Sequence, residues 1–362
     1  MDAKFISRGQ LPEWLRSLAA RFAVLAPARA GSSVIYRPVD PEAPPRQPEL
    51  AVKPTESAKR ALFPLSEALL TFVKNQPDGK PGLELRETPP PRPCLVFGLP
   101  SCDARGFLVF DPVYAGSGTA GKFQDNYYLR RREQAVLIVK TCPRPLSTCF
   151  CNWVGGGPAS TEGADVLATE LKDGLVLEAL TGKGARVLDS ALLRPAADEQ
   201  LTAAAQSRAA SEAAMPPPVD ISGCARALRG KFDSAGFWQG HSAGCLSCGA
   251  CTCLCPTCYC FDLSDEERGS RGVRLRSWDS CMLPLFTQET GGHNPRAAKA
   301  ARLRNRISHK FSFYPDLHPS LPGQDGHIAC CGCGRCIRSC PSAVDIRRIV
   351  TEALGTAAEG AE

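Results

Sequence analysis

Two stretches with one cysteine spacing decide the fold of this 362-residue chain: CLSCGACTCLCP at residues 245–256 and CCGCGRCIRSCP at residues 330–341. Both follow the pattern C-x2-C-x2-C-x3-C-P, the bacterial run that holds [4Fe–4S] clusters. A cubane cluster has four iron corners, and each corner binds one thiolate. Three closely spaced cysteines wrap one face of a cluster, so the fourth ligand comes from elsewhere. The spacing therefore predicts two clusters and a role in carrying electrons.

The ligands are expected to cross between the two runs. In two-cluster ferredoxins, the last cysteine of each run binds the other cluster. We therefore assign the first cluster to Cys245, Cys248, Cys251 and Cys340, and the second to Cys330, Cys333, Cys336 and Cys255. Gly249, Gly332 and Gly334 lie between these ligands, where a sharply turning loop favours the positive φ angles that glycine adopts at little cost.

Other cysteine chemistries fit the two runs less well. A zinc ribbon separates two C-x2-C pairs by a longer span, whereas the four cysteines of the pattern fall within eleven residues in each run here. A disulfide scaffold belongs to short secreted chains. A thioredoxin-type C-x2-C pair would stand alone near a βαβ pattern. Two runs with one spacing and one terminal proline are therefore specific for iron–sulfur chemistry.

Charge and hydropathy patterning exclude several classes of protein. The net charge is +6 with both signs mixed, so nothing demands a nucleic acid or an anionic membrane as partner. No stretch approaches about eighteen uninterrupted apolar residues, so we expect no membrane span. Arg16 and Arg21 interrupt the apolar positions near the N-terminus, so we expect no signal peptide. Thiolate ligands must be kept reduced, which favours the cytoplasm.

The chain is expected to have an α+β fold in two main parts. Helical and strand patterns alternate in its first half, and the cysteine runs occupy the second. The expected segments are an N-terminal α/β-type domain at residues 1–195, an Ala/Pro-rich linker with an exposed helix at 196–219, a two-[4Fe–4S] ferredoxin-like domain with a long insertion between the cysteine runs at 220–350, and a disordered tail at 351–362. Within the first segment, residues 57–74 are predicted to be helical with a break at Pro64.

Four further cysteines follow predicted strands of the N-terminal domain. Cys102 comes just after a buried strand at Leu95–Leu99, and Cys142 just after another at Ala135–Val139. If these strands are parallel neighbours, their C-terminal ends bring the thiols to one edge of the sheet. The cysteines at this edge are Cys102, Cys142, Cys149 and Cys151. Spacing alone leaves two interpretations open: a third iron–sulfur site, or buried thiols that act as small hydrophobic side chains.

Two glycine-rich stretches imitate nucleotide-binding motifs. Residues 116–122 read GSGTAGK, but Phe123 stands where a P-loop needs Ser or Thr to hold Mg²⁺. Residues 155–157 are three glycines without the G-x-G-x-x-G pattern of dinucleotide-binding folds. The sequence therefore offers no convincing flavin or nicotinamide site, and we expect a partner subunit to supply one.

Two other groups of residues near the cysteine runs are given structural interpretations. Cys258, Cys260 and Cys281 could shield a cluster, but three cysteines are too few to hold a cubane. A basic run is interpreted as a solvated helix face, with docking to an acidic partner as the alternative. The basic run consists of Arg302, Arg304, Arg306 and Lys310.

Several longer motifs resemble one family of electron-transfer subunits. The clearest is CLSCGACTCLCPTCYCFD at residues 245–262, and others are WDSCM at 278–282, GGHNPR at 291–296 and HKF at 309–311. In the N-terminal half, CDAR at 102–105 and TCFC at 148–151 also match. The chain is similar to the electron-transfer subunits typified by that of anaerobic sulfite reductase and by the sulfhydrogenase beta subunit.

The resemblance implies a cytoplasmic subunit with two ferredoxin-type [4Fe–4S] clusters and no catalytic residues of its own. Such a protein passes electrons between a catalytic subunit, either a sulfite reductase or a nickel–iron hydrogenase, and a flavin- and NAD(P)H-binding subunit. The resemblance also favours a third cluster at the N-terminal cysteines. One alternative is a stand-alone iron–sulfur reductase with a substrate or flavin site in the N-terminal domain. Another is a zinc-dependent structural or nucleic-acid-binding protein, against which the weak net charge argues.

Overall fold

A computed structural model describes residues 3–75, 82–89, 91–116, 123–318 and 328–355. The strands in these ranges are β1 Ala3–Ser7, β2 Ala23–Ala30, β3 Ser33–Pro38, β4 Ser66–Asn75, β5 Gly82–Glu87, β6 Cys94–Pro100, β7 Val136–Lys140, β8 Val166–Glu170, β9 Gly174–Ala179, β10 Arg194–Pro195, β11 Phe261–Arg268 and β12 Arg271–Trp278. The α-helices are α1 Leu11–Ala19, α2 Ser101–Tyr114, α3 Asn126–Gln134, α4 Gly182–Leu188, α5 Asp198–Ala213, α6 Cys224–Gly230, α7 Ala235–Ser242, α8 Ala250–Cys253, α9 Lys299–Ser308, α10 Tyr314–Leu317, α11 Arg335–Arg338 and α12 Ile346–Leu354. The P-loop imitation beyond Gly116 and the tail beyond Gly355 lie outside the described residues.

An eight-stranded sheet organises the N-terminal half, in the order β10-β1-β9-β8-β7-β6-β2-β3. The central strands β2, β6, β7 and β8 are parallel. Strands β6 and β7 are buried apolar runs, as expected for a sheet that is covered on both faces. Helices α1 and α4 pack on one face and α2 on the other. The two predicted strands and the α/β character of this half are confirmed.

A second, four-stranded sheet joins the two halves of the chain. The hairpin β11–β12 belongs to the insertion between the cysteine runs, and β12 pairs antiparallel with β4. The predicted helix over residues 57–74 is therefore wrong. Only Ala58–Ala61 forms a 3₁₀ turn, and β4 follows it. The apolar residues of β4 have helical spacing. Strand β12, about two hundred residues away in the sequence, supplies the backbone hydrogen bonds of β4, and this pairing overrides the local pattern.

Helix α5 lies in the segment that we predicted as a linker. The helix itself is present as expected, and it packs on the N-terminal sheet. Ala204 is buried against Phe5 and Val176, and Arg208 forms an ion pair with Glu178. This part of the segment is therefore attached to the N-terminal half.

The C-terminal half has a hydrophobic core of its own, to which α6, α7, α9 and α12 contribute. Residues 351–354 were expected to belong to a disordered tail, but α12 includes them. The reason is packing, since Ile346, Ile349 and Val350 on this helix are buried in the core.

The N-terminal cysteine loop packs directly on the second cysteine run. The Phe150 N–H donates a 2.9 Å hydrogen bond to the Gly332 carbonyl. Gly332 and Gly334 have φ angles of +61° and +72°. A Cβ atom on Gly334 would overlap the Thr148 carbonyl, and one on Gly332 would overlap the backbone of Cys151. Glycine therefore permits both the backbone turn and the close approach of the two loops.

Gly334→Ala should loosen this contact and destabilise the protein more than Gly355→Ala does. Both positions have positive φ, at about a 1–2 kcal/mol cost to an L-residue. At Gly355 a Cβ meets no atom of the described residues within 4 Å, whereas at Gly334 the overlap adds about 1–3 kcal/mol. We expect the Gly334→Ala protein to lose its visible absorbance faster in denaturant. Equal rates for the two variants would contradict the contact.

Candidate iron–sulfur sites

The two cysteine runs fold in the same way. Each run begins as a loop and continues into a single helical turn, α8 in the first run and α11 in the second. Both turns follow a glycine with left-handed backbone conformation, Gly249 at φ +75° and Gly334 at φ +72°. The predicted positive φ angles are confirmed, and the sequence repeat is also a structural repeat.

The first site, defined as Cys245, Cys248, Cys251 and Cys340, lines a single cavity. Three of these cysteines come from the first run and the fourth from the end of the second. Cys336 also contributes to the wall, whereas Cys255 does not. The cavity brings Cys340 of the second run to three cysteines of the first, and the crossed assignment stays a prediction.

Backbone N–H groups point at two sulfurs of the first site. The Ser247 N–H donates to Cys245 Sγ at 3.4 Å, and the Val344 N–H donates to Cys340 Sγ at 3.3 Å. Among the described residues, only Ser247 and Ala343 combine a side chain other than glycine's with positive φ. Such conformations cost about 1–3 kcal/mol and cluster at functional sites. Hydrogen bonds to the sulfurs are one of the factors that set a cluster's reduction potential.

The second site consists of Cys330, Cys333, Cys336 and Cys255. Burial raises the pKa of Cys330 to about 11 and that of Cys336 to about 12, and the neighbouring Cys255 thiolate adds to both shifts. Cys255 therefore lies beside the second run, as the crossed assignment requires. Cys255 and Cys333 are almost completely buried, and Cys330 and Cys336 are half-buried.

Cysteines outside the predicted ligand sets contact these sulfurs. A hydrogen bond with Cys331 lowers the pKa of Cys333 to about 6. A similar bond with Cys258 holds the pKa of Cys255 well below its ordinary value. Cys331 and Cys258 can therefore tune the ligand sulfurs, a role that the sequence did not reveal.

A buried arginine stands between the two sites. Arg306 lines the cavity of the first site and donates to the Cys251 carbonyl at 3.2 Å. Its buried Nε has no hydrogen-bond partner among the residues that the structure describes. Burial opposes its charge, but the thiolates of Cys251 and Cys336 outweigh burial and raise its pKa. An unpartnered guanidinium N–H beside converging sulfurs fits an anionic cluster with four thiolate ligands.

The interpretation of the basic run as a solvated or docking face is wrong, since three of its members are buried. Arg302 is 5% exposed, Arg306 4% and Lys310 3%. Their charges face carbonyls and thiolates, which compensate for the loss of water. Lys310 lies in a π-helical turn at His309–Phe313, a geometry that is frequent at functional sites.

Lys310 is tied to both cysteine runs. Its ammonium group lies 3.4 Å from Cys255 Sγ and donates to Thr257 Oγ1 at 2.7 Å and to the Ala329 carbonyl at 2.9 Å. Burial opposes the charge, and the Cys255 thiolate reverses the effect and raises the pKa of Lys310. This lysine therefore carries a fixed positive charge next to a predicted ligand.

Lys310→Met should make the reduction potential of the second site more negative, by on the order of 100 mV. The reduced state of a cluster carries one more negative charge than the oxidised state, so removal of a nearby cation disfavours reduction. Redox titration followed by electron paramagnetic resonance measures the shift. Lys183→Met, in the N-terminal half, is the control and should change nothing. An unchanged potential with the iron retained would contradict the role of Lys310.

The N-terminal site, defined as Cys102, Cys142, Cys149 and Cys151, gathers at one edge of the large sheet. Strands β6 and β7 are parallel neighbours, as the sequence hypothesis required, and Cys102 and Cys142 follow their C-terminal ends. Cys149 and Cys151 enter from the loop that packs on the second run. Cys102 is also in contact with Cys331 and Cys333.

The spacing of these side chains differs from that of a single-ion site. In the parts of the chain that the structure describes, no group of three or more His, Cys, Asp or Glu residues is close enough to hold one metal ion. A zinc site needs four ligands within about 2.0–2.3 Å of one ion. A cubane binds each thiolate at a separate iron and so holds its sulfurs farther apart.

Comparison with known proteins agrees with this chemistry. Residues 244–344 match the family described as the 4Fe-4S dicluster domain, which implies two [4Fe–4S] clusters. The chain is 30% identical over 261 residues to Sulfhydrogenase 2 subunit beta of Pyrococcus furiosus, over 71% of this chain and 73% of that protein. No solved structure matches the chain.

Proposed function

Because this chain belongs to the family of 4Fe–4S dicluster electron-transfer subunits that includes the sulfhydrogenase beta subunit, we propose that it relays single electrons within a redox complex. Its two exchange partners are a catalytic reductase or hydrogenase subunit, on one side, and a flavin- and NAD(P)H-binding subunit, on the other. The observation that carries the proposal is the single cavity in which three cysteines of the first run meet Cys340 of the second. Each bound cluster takes up and releases one electron at a time.

The residues of the chain bind, tune and screen the two clusters. Eight cysteine thiolates are the ligands. At the first site they are Cys245, Cys248, Cys251 and Cys340, and at the second site they are Cys330, Cys333, Cys336 and Cys255. Backbone N–H groups and the buried cations Arg306 and Lys310 adjust the charge at the sulfurs. No substrate bond is made or broken in this chain.

The first site reaches the surface of the protein. Cys248 is exposed, and Leu246 in the same loop is 67% exposed. An apolar side chain beside a redox centre suits contact with a partner subunit, because apolar burial contributes to association. We therefore place exchange with one partner at the loop between Cys245 and Cys248.

The relative's name describes one subunit of a sulfhydrogenase, and we extend assembly with other subunits to this chain. No helix in the described ranges has the length and apolar character needed to cross a membrane. We propose a cytoplasmic location on chemical grounds, because cluster thiolates must remain reduced and be supplied with iron.

Anaerobic co-purification with the products of the neighbouring genes tests the relay. NADH or NADPH should bleach the visible absorbance of this chain's clusters in the complex, whereas the chain alone should respond only to dithionite. A Cys251→Ala/Cys336→Ala double variant is the control and should assemble without passing electrons. Bleaching of the isolated chain by NAD(P)H would favour the stand-alone reductase instead. If the complex with the double variant transferred electrons as fast as the wild-type complex, this chain would not lie on the electron-transfer route.

A further inference from the structure

We propose that Cys102, Cys142, Cys149 and Cys151 hold a third iron–sulfur cluster beside the second site, with Lys53 compensating part of its negative charge. The matched dicluster domain begins at residue 244 and contains none of these residues. The inference extends the relay proposed above and rests on that relay only for its supply of electrons.

The topology of the sheet explains why these four cysteines occupy one edge. Parallel strands β6 and β7 end at the same edge, which places Cys102 and Cys142 there. The chain then returns at Cys149 and Cys151. There Cys102, Cys149 and Cys151 are buried and Cys142 is half-buried.

Lys53 is a half-buried cation beside the sulfur of Cys149. Its ammonium group lies 3.4 Å from Cys149 Sγ and donates to the Cys333 carbonyl at 3.0 Å. Within the described residues, the Lys53 ammonium group donates no hydrogen bond to a carboxylate. A cation beside this sulfur can compensate part of the negative charge of a bound cluster, whose ligands are thiolates.

The environment of Lys53 repeats that of Lys310. Each ammonium group lies 3.4 Å from one cysteine sulfur and donates to a backbone carbonyl in or just before the second cysteine run. For Lys310 that sulfur belongs to Cys255, a predicted ligand of the second site. The same arrangement at Cys149 points to a ligand sulfur there too.

The N-terminal site also lies next to the second site. Cys149 Sγ is 3.8 Å from the Cys333 carbonyl oxygen, and Cys102 packs against Cys331 and Cys333. The second site in turn adjoins the first through Arg306 and Cys336. The three sites therefore form a continuous row from the sheet edge to the exposed loop at Cys248.

The chemistry of the proposed site balances in a simple way. The four thiols release four protons to solvent as four sulfur–iron bonds form with a [4Fe–4S] cluster. During electron transfer, one electron passes from the reduced cluster of the second site to the cluster at the N-terminal site. The first of these is oxidised and the other is reduced by one electron. No covalent bond changes in that exchange.

The test is iron and zinc analysis of the full-length chain after anaerobic reconstitution, together with low-temperature electron paramagnetic resonance. The wild type should hold about twelve irons and no stoichiometric zinc. Cys149→Ala and Cys142→Ala should each lose about four irons and one paramagnetic signal, with the other two signals unchanged. Cys94→Ala is the matched control, because Cys94 opens strand β6 at its opposite end.

A wild type with about eight irons and two signals overturns the third site and leaves the relay standing. So does zinc in place of the additional iron, or an unchanged iron content in both variants. If Cys149→Ala fails to fold, the half-buried Cys142 provides the decisive variant. A wild type with fewer than about eight irons would instead contradict the relay itself.

Discussion

Cys255→Ala should remove the [4Fe–4S] signal of the second site, and Cys340→Ala should remove that of the first, although each residue belongs to the opposite run. Each variant should lose about four irons. The physical reason is position, because Cys340 lines the first cavity and Cys255 lies beside Cys330 and Cys336.

Reference variants identify which signal has been lost. Cys248→Ala defines the signal of the first site, and Cys333→Ala defines that of the second. The spectrum of Cys255→Ala should then match that of Cys333→Ala. Cys224→Ala, a buried cysteine in the core of the C-terminal half, should retain both signals. If Cys255→Ala instead matches Cys248→Ala, each run holds its own cluster and the crossed assignment fails.

Asp103→Ala should destabilise the protein by about 3–5 kcal/mol, because it leaves a buried guanidinium without its counter-charge. Asp103, on helix α2, pairs with Arg335 of the second run, and both side chains are fully buried. Asp103 also accepts the Ala58 N–H at 3.0 Å. This pair therefore fastens the N-terminal half to the second site.

The measurement is the rate at which the clusters bleach in denaturant, since loss of a cluster makes unfolding irreversible. Asp103→Ala should bleach at least about tenfold faster than the wild type. Replacing both partners, as Asp103→Leu with Arg335→Met, should recover much of the loss, because neither charge is then left unpaired. Glu84→Ala, which breaks an exposed ion pair with Arg86, should have no measurable effect. A wild-type rate for Asp103→Ala would mean that the pair does not hold the two halves together.

Local patterns predicted the parts of the fold that depend on local structure. The cysteine spacing implied two clusters because ligation needs short, fixed intervals along the chain. Strands β6 and β7 were predictable because both are continuous buried apolar runs. Their parallel pairing was the condition on which the N-terminal site depended, and the sheet meets it.

Long-range partners explain what the sequence did not reveal. Strand β4 was predicted as a helix because its apolar residues have helical spacing. Its hydrogen-bond partner β12 lies in the distant insertion, so the local sequence does not indicate the pairing. Lys310 was predicted to be solvated because nothing in the sequence of the basic run indicates the thiolates that face it in the fold. Lys53 sits in a Pro-containing segment with no motif, and only the folded chain brings it to Cys149. One clue was available, since Lys310 lies within the HKF motif of the resemblance.

The most direct measurement on the central claim is a reductive titration of the anaerobically purified chain, free of partner subunits, with iron analysis and electron paramagnetic resonance. We predict a brown protein with at least about eight irons per chain and at least two centres that each accept one electron. A colourless protein, zinc in place of iron, or fewer than two reducible centres would contradict the account.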